Sequence, residues 1–492
     1  MKKRENGVLL PISSLPSKYG IGCLSKEAYA FVDQLQAAGQ SLWQILPLGS
    51  TGYGDSPYQS FSTFAGNPYF VDLEQLIERG WLSEEECASF DWGRDETRVD
   101  YEKIYQNRFQ ALKIAFERSH IEADEDYRYF CAEQAEWLEN YARYAAFKVH
   151  FDNRSWTEWP QPIKLREWEA CDQLAAELSG EISFYRFIQY LFLRQWFNLK
   201  RYANDRGVSI VGDIPIYVAF DSADTWSEPE LFCLDEDRLP TAVAGCPPDA
   251  FSATGQLWGN PLYRWEYHRD SGYAWWIRRM RHCYNLYDVV RIDHFRGFDA
   301  FYAIPFGAET AVNGEWRPGP GIELFNRLKA VLGERRVIAE DLGYLTDSVL
   351  QLVKDTGFPG MKVLEFAFDA SGKSEYLPHL YPQNAVVYTG THDNDTILGW
   401  LDTLSEADRA FAFDYLQIDS AADFHWKMIA LAMGSVADLC IIPMQDLLGL
   451  GTQARINTPS TLGGNWAWRM QPGAFSEDII ARLRRMTMIY GR

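Results

Sequence analysis

Acids stand where several short apolar runs break off. Asp213 closes Val208-Ser209-Ile210-Val211-Gly212, and Asp293 follows Val289-Val290-Arg291-Ile292. Glu340 follows Val337-Ile338-Ala339, Thr391-His392-Asp393 follows a Val386-Val387 run, and Gln445-Asp446 follows Ile441-Ile442-Pro443. Groups so far apart act together only if the fold gathers strand ends in one place. A parallel barrel does this, because every strand delivers its carboxyl end to one mouth. A crowd of carboxylates there repels itself unless cations offset it, and Arg291 and His392 stand beside the acids to do so. Two chemistries use such a set: hydrolysis assisted by an oxygen-ligated metal, or glycosidic cleavage by paired carboxylates. No His-x-His or His-x-Glu-x-x-His-like spacing supports a transition metal. No phosphate-binding loop stands out either, since Gly449-Leu450-Gly451 is only a fragment. The paired-carboxylate reading also fits the aromatic richness and the absence of nucleotide motifs, and under it neither a metal nor a cofactor is expected.

Eight apolar runs would position these groups. They are 7–11, 42–47, 208–213, 288–293, 336–341, 361–366, 385–390 and 439–443. Each has the length and composition of a strand buried on both faces. Helical patterns alternate with them, as at 28–38, 184–203, 274–287, 322–332 and 405–415. That alternation predicts an α/β fold, a (β/α)8 TIM barrel. Two gaps are too long for simple connections. Residues 74–180, with Glu, Ala, Tyr and Trp at helical spacing, read as a helical insertion after strand 2. Residues 219–265, rich in Pro and Gly, read as a loop-rich lid after strand 3. Only a loop and one helix near 476–489 follow the eighth strand. Residues 1–492 are therefore expected to form a single catalytic domain with no C-terminal β-sandwich domain.

Composition narrows the partners. A net charge of -21 argues against nucleic acid and anionic membranes. Aromatic residues make up 15% of the chain, enough for a core and for flat platforms under sugar rings. The eight cysteines show no metal-ligand spacing, which predicts a reduced, cytoplasmic protein. The apolar run after the basic start is too short for a signal peptide, and no stretch reaches membrane-span length.

An ordered set of motifs then makes the chain familiar. It includes Ser56-Pro57-Tyr58-Gln59-Ser60, Gly212-Asp213-Ile214-Pro215 and Val243-Ala244-Gly245-Cys246-Pro247-Pro248-Asp249. It continues with Gly255-Gln256-Leu257-Trp258-Gly259-Asn260-Pro261 and Arg291-Ile292-Asp293-His294-Phe295-Arg296-Gly297. Ala339-Glu340-Asp341-Leu342-Gly343, Gly390-Thr391-His392-Asp393-Asn394-Asp395-Thr396 and Gly463-Gly464-Asn465-Trp466-Ala467-Trp468-Arg469 complete it. The chain resembles the 4-alpha-glucanotransferases called amylomaltases or disproportionating enzymes, family 77 of the glycoside hydrolases, within the alpha-amylase superfamily.

The resemblance implies Asp293 as nucleophile, Glu340 as general acid/base and Asp393 as transition-state stabiliser. Asp395, two residues on, is passed over because the superfamily's His-Asp pair selects Asp393. The resemblance also implies substrate contacts. Ser56, Tyr58, Asn457 and Pro459 would line the donor cleft. His392 and His294 would meet sugar hydroxyls, and Asp213 would bind a hydroxyl or orient Arg291. Trp258 would stack on the acceptor, with Asp249 and Gln256 as hydroxyl partners. Glu365 and Asp369 would touch glucan further out. Arg291 is expected to lower the pKa of Asp293, and Glu340 to keep a proton near neutrality. Alpha-1,4-glucans and maltooligosaccharides would be donors, with glucose or a maltooligosaccharide as acceptor. Two alternatives remain: an alpha-glucan hydrolase with the same acids, and a non-catalytic glucan-binding protein.

Overall fold

The computed structural model describes residues 4–52, 54–248, 252–343 and 345–492. Twelve strands are found among them: β1 (Glu5–Leu9), β2 (Leu42–Gln44), β3 (Ser209–Ile214), β4 (Ala242–Cys246), β5 (Gln256–Pro261), β6 (Val289–Ile292), β7 (Ala300–Pro305), β8 (Glu315–Pro318), β9 (Val337–Ala339), β10 (Gly360–Val363), β11 (Ala385–Tyr388) and β12 (Leu439–Pro443). Eight of these pair in parallel in the order β10-β11-β12-β1-β2-β3-β6-β9. They are the eight apolar runs. The seam between β9 and β10 is closed more sparsely. Ala339 N donates to Pro359 O at 3.0 Å, and Met361 N donates to the Asp341 carboxylate at 2.6 Å.

The alternation of side chains along each strand separates two apolar layers. Leu9, Leu42, Val211, Val289, Ile338, Met361, Val386, Tyr388, Leu439 and Ile441 fill the barrel interior. Their immediate neighbours Val8, Trp43, Ile210, Val290, Val337, Val387 and Ile442 face outward into the larger core shared with the helices. Runs apolar at every position are what two buried faces require. Between β2 and β3 the chain passes through long helices at Tyr101–Ser119, Ala135–His150 and Ser179–Asp205. The last of these buries Phe184, Phe187, Ile188, Leu191, Phe192 and Trp196, a stripe at helical spacing. The final helix, Glu477–Tyr490, is capped by Ser476. No helix among the described residues is long and apolar enough to cross a membrane.

The 219–265 segment departs from its loop-rich reading. β4 and β5 lie in it and join β7 and β8 in an antiparallel sheet of order β5-β4-β7-β8. Glycine makes this possible. A Cβ on Gly245 would sit 2.1 Å from Gln256 O, so the two strands approach where only Gly fits. Short strands carrying Gly and Pro lack the alternation that marks a strand in sequence.

Candidate active site

Strand register brings the acids together. β3 pairs with β6 so that Asp213 lies opposite Arg291, and β6 pairs with β9 so that Ile292 lies opposite Ala339. One step further, Asp293 comes opposite Glu340. Asp293 is also two residues beyond Arg291, so the period of two turns both side chains the same way. Neighbouring strands are about 4.8 Å apart, so Asp213, Arg291, Asp293 and Glu340, far apart in sequence, become lateral neighbours.

Arg291 is the buried cation among these acids. Its Nη1 contacts Asp213 Oδ2 at 2.6 Å and Asp293 Oδ1 at 3.1 Å. Tyr58 extends the chain of contacts. Its hydroxyl donates to Asp213 Oδ2 at 2.9 Å and lies 2.9 Å from His392 Nε2. With that hydroxyl's one proton given to Asp213, its oxygen accepts from a protonated Nε2. The same nitrogen lies 3.3 Å from Asp393 Oδ2, and Asn457 Nδ2 donates to Asp393 Oδ1 at 2.6 Å. Asp293 is thus linked to Asp393 through Arg291, Asp213, Tyr58 and His392 without a break.

Glu340 is held by main chain. Its Oε2 accepts from His294 N at 2.6 Å and its Oε1 from Leu342 N at 2.9 Å. His294 adopts the left-handed conformation, φ 51°, which aims that amide. Such a residue costs about 1–3 kcal/mol, and strain of this kind gathers at functional sites.

These surroundings separate the three acids electrostatically. Loss of water pushes Glu340 up to about 7, and the charge of Asp293 adds to this against Arg291 and the two amides. Asp293 was expected to be lowered by Arg291. Instead it is pushed up to about 6, because burial in the cleft outweighs Arg291 and because Asp213 and Asp393 repel its charge. The two carboxyls titrate as a pair. Burial also opposes ionisation of Asp393, yet His392, Asn457 and Arg291 prevail and hold it at about 2. His392 mirrors this: burial disfavours its charge, but Asp393 more than offsets that and raises its pKa. The set therefore contains a permanent anion, a carboxylate that ionises near 6 and a carboxyl that keeps its proton to about 7. Separated acids of this kind suit acid/base and nucleophilic work.

A second wall stands beside this cluster. The ring of Trp258 meets His294 edge-on, with centroids 4.7 Å apart and planes at 89°. Gln256 Oε1 accepts from Trp258 Nε1 at 3.0 Å. His294 is neutral, since burial and nearby Arg296 push its pKa down to about 3. Ser56 serves the turn before Tyr58, its hydroxyl accepting from Tyr58 N at 3.3 Å. Pro459 is exposed on the loop beyond Asn457. Asp369 turns an oxygen to its own loop, accepting from Ser371 N at 2.9 Å. Asp249 lies outside the described residues.

Two contributors, Arg455 and Trp466, escaped the sequence reading, and Glu365 was misplaced by it. Arg455 donates to Asp393 O at 2.6 Å and to Asn457 O at 2.8 Å, fixing both ends of that contact. Its nearness to Asn457 in sequence was the available signal. Trp466 lies 5.8 Å from Tyr58 and 5.9 Å from His392, ring centre to ring centre, within one of the motifs quoted above. Glu365 is not an outer contact. It is 8% exposed, and a Cβ on Gly390 would fall 2.6 Å from its Oε1, so it underlies the turn leading to Asp393. Asp446 supports the same turn, accepting from Thr389 Oγ1 at 2.5 Å and from Ile397 N at 2.8 Å. Asp395 caps Thr396 N at 2.7 Å, a structural task.

Known proteins share this arrangement of chain. The profile of the 4-alpha-glucanotransferase family, glycoside hydrolase family 77, matches residues 10–475. A 4-alpha-glucanotransferase of Streptococcus pneumoniae is 49% identical over 495 residues, covering 100% of this chain and 98% of that protein. One from Clostridium butyricum is 46% identical over 483 residues, covering 98% and 99%. The structure of amylomaltase from Streptococcus agalactiae in complex with acarbose matches with a TM-score of 0.97 at 42% identity, over 100% of both chains.

Proposed function

We propose a mechanism for a chain that belongs to the 4-alpha-glucanotransferases, family 77 of the glycoside hydrolases. The enzyme moves a segment of an alpha-1,4-glucan onto another glucan. In our reading the acceptor is the 4-hydroxyl of a glucan or glucose, and the configuration is retained through two displacements. The Asp293 carboxylate attacks C1 of the donor sugar at the scissile bond. The bond from C1 to the leaving oxygen breaks as Glu340 donates its proton to that oxygen. A glycosyl ester on Asp293 results. Glu340, now a carboxylate, takes the proton of the acceptor's hydroxyl, whose oxygen attacks C1 and releases Asp293. Asp393 stays ionised and opposes the positive charge that grows on the sugar ring in both steps.

The observation that carries this reading is the adjacency of Asp293 and Glu340 across the β6–β9 register, beside an Asp393 fixed by His392 and Asn457. Arg291 keeps the nucleophile within range of ionisation at neutral pH. The Trp258–His294 wall supports the acceptor side, where a sugar hydroxyl must outcompete water. In this reading Tyr58, Gln256 and Asn457 meet sugar hydroxyls, while Asp213, fully buried between Arg291 and Tyr58, orients Arg291. Ser56, Asp249, Pro459 and Asp369 are secondary contacts. The eight free thiols support a cytoplasmic setting.

Maltotriose tests the function directly. The enzyme should yield glucose and a ladder of longer chains, and Asp293→Asn should yield neither while still binding glucan. A ladder of comparable yield from Asp293→Asn removes the nucleophile assignment. Glucose and maltose alone from the parent chain would make it a hydrolase.

A further inference from the structure

Behind the loop that carries Tyr58, the helix Ala135–His150 faces the helix Ala274–Leu286, and a separate hollow of about 280 Å³ opens there. Ser62 and Phe64 form a wall between it and the space under Tyr58 and Asp213. Three rings converge on it. Phe64 and Trp137 lie within 18° of parallel, with centres 6.3 Å apart. His282 meets them edge-on, at 5.4 Å from Phe64 and 5.9 Å from Trp137. All three are only partly buried, so this aromatic cluster is not sealed into the core. Nitrogen chemistry adds to it. A His282 ring N–H is bonded to the main chain at Phe64, and burial pushes the imidazole's pKa down to about 4, so the ring is neutral. Its Nε2 is shielded from solvent and has no protein partner among the described residues. A neutral imidazole whose other nitrogen donates leaves Nε2 as an unused acceptor within the wall of the hollow.

The charges around the hollow restrict the ligand. Glu133, Glu136, Asp224 and Glu228 outnumber Arg278 and Arg281. Arg278 is already bonded to Glu136 at 3.1 Å and Glu228 at 2.5 Å. A phosphorylated or carboxylated ligand would meet net repulsion, and a lipid would meet too many polar groups. A flat aromatic surface fringed by acceptors and amides matches a pyranose ring, apolar on its face and hydroxylated at its edge. We propose that this hollow is a non-catalytic binding site for a short stretch of alpha-1,4-glucan, distinct from the barrel mouth. The choice of sugar rests on the glucanotransferase activity. The consequence is a preference for long donors, since a chain held here raises the local concentration of its remainder near the cleft.

Counting sites tests this without relying on turnover. The probe is a thio-linked alpha-1,4 maltooligosaccharide, which cannot be cleaved, titrated calorimetrically into the parent chain and into Trp137→Ala. Two classes of site are expected in the parent and one in the variant. With amylose as donor the KM of Trp137→Ala should rise about 5- to 10-fold, while kcat/KM on maltotriose stays unchanged and reports an intact fold. A single class in the parent overturns the proposal with no variant needed, and so do equal counts in both chains. Should Trp137→Ala fail to fold, Arg281→Ala on the exposed rim takes its place, with weakened second-site affinity expected and unchanged affinity counting against the site. Failure of the double-displacement mechanism would show in the maltotriose ladder of Asp293→Asn, which this count does not use.

Discussion

Replacing Asp213 by Asn removes a charge from a fully buried position between Arg291 and Tyr58. Removing one partner of a buried ion pair costs roughly 3–5 kcal/mol. Asn keeps a carbonyl acceptor, and Arg291 keeps Asp293 at 3.1 Å, so the cost should fall at the low end, about 3 kcal/mol. Unfolding entropy of roughly 2.1 cal/mol/K per residue over 492 residues amounts to about 1 kcal/mol per degree. A single unfolding transition should therefore move down by only about 3 °C, and the variant stays folded under assay. The catalytic effect has a definite sign. Asp213 raises the pKa of Asp293 by repulsion, while Arg291 lowers it. Neutralising Asp213 removes the first influence and leaves the guanidinium to Asp293 alone. The proposed nucleophile then ionises at lower pH. Because protonated Asp293 cannot attack, the acid limb of kcat/KM should shift to lower pH, and kcat should fall as the carboxylate becomes a weaker nucleophile. Initial rates of glucose release from maltotriose across the acid range measure the limb, and a thermal melt measures the stability. An acid limb that stays in place or moves up, in a variant that melts as expected, refutes the electrostatic role given to Asp213.

The unmodified enzyme should show a bell-shaped kcat/KM profile, falling below about 6 as Asp293 gains a proton and above about 7 as Glu340 loses one; activity flat from pH 4 to 9 would contradict it. Glu340→Gln should lose about 10²- to 10⁴-fold in kcat and lose the alkaline limb, and a variant that kept that limb would place the titrating acid elsewhere. Asn457→Ala removes a hydrogen bond to an ionised carboxylate, worth roughly 1.5–3 kcal/mol, so kcat/KM on maltotriose should drop about 10- to 100-fold; a loss under twofold would leave Asp393 independent of Asn457. Burial, with the charges of Asp446 and Asp395, raises the pKa of Glu365 from 4.5 in the folded chain. The unfolded chain thus releases that proton above about 4.5 while the folded chain holds it, and stability declines as pH rises from there. Glu365→Gln removes this decline, so its melting temperature relative to the parent should climb between pH 4.5 and neutrality, where a constant difference would mean that Glu365 is ionised.

The barrel was legible because its eight strands are buried on both faces and so appear as uninterrupted apolar runs. The acids were legible because each breaks such a run at its carboxyl end. The β4-β5-β7-β8 sheet was not. Its strands are short and hold Gly245, Gly259 and Pro261, and its two hairpins, β4-β5 and β7-β8, are joined only by β4 pairing with β7 across the intervening barrel strand β6. The electrostatic state of the site was only partly legible. Spacing along β6 revealed the Arg291–Asp293 contact, but the desolvation that outweighs it depends on how the cleft encloses the carboxyl. Glu365 looked like an outer contact from its position after β10, and only the close approach of Gly390 reveals it as a buried prop. The pocket formed by Phe64, Trp137 and His282 joins three distant segments, and no pattern in any one of them announces it.

The proposed ester on Asp293 is the most direct target. An alpha-maltotriosyl fluoride with its non-reducing 4-hydroxyl removed can enter the first displacement without acting as an acceptor, and fluoride leaves without a proton from Glu340. Incubated with Glu340→Gln, it should add one maltotriosyl residue less the 4-oxygen to the peptide containing Asp293, detected by mass spectrometry after digestion. An unmodified Asp293 peptide in an enzyme that still releases fluoride, or a label on another residue, would contradict the double displacement.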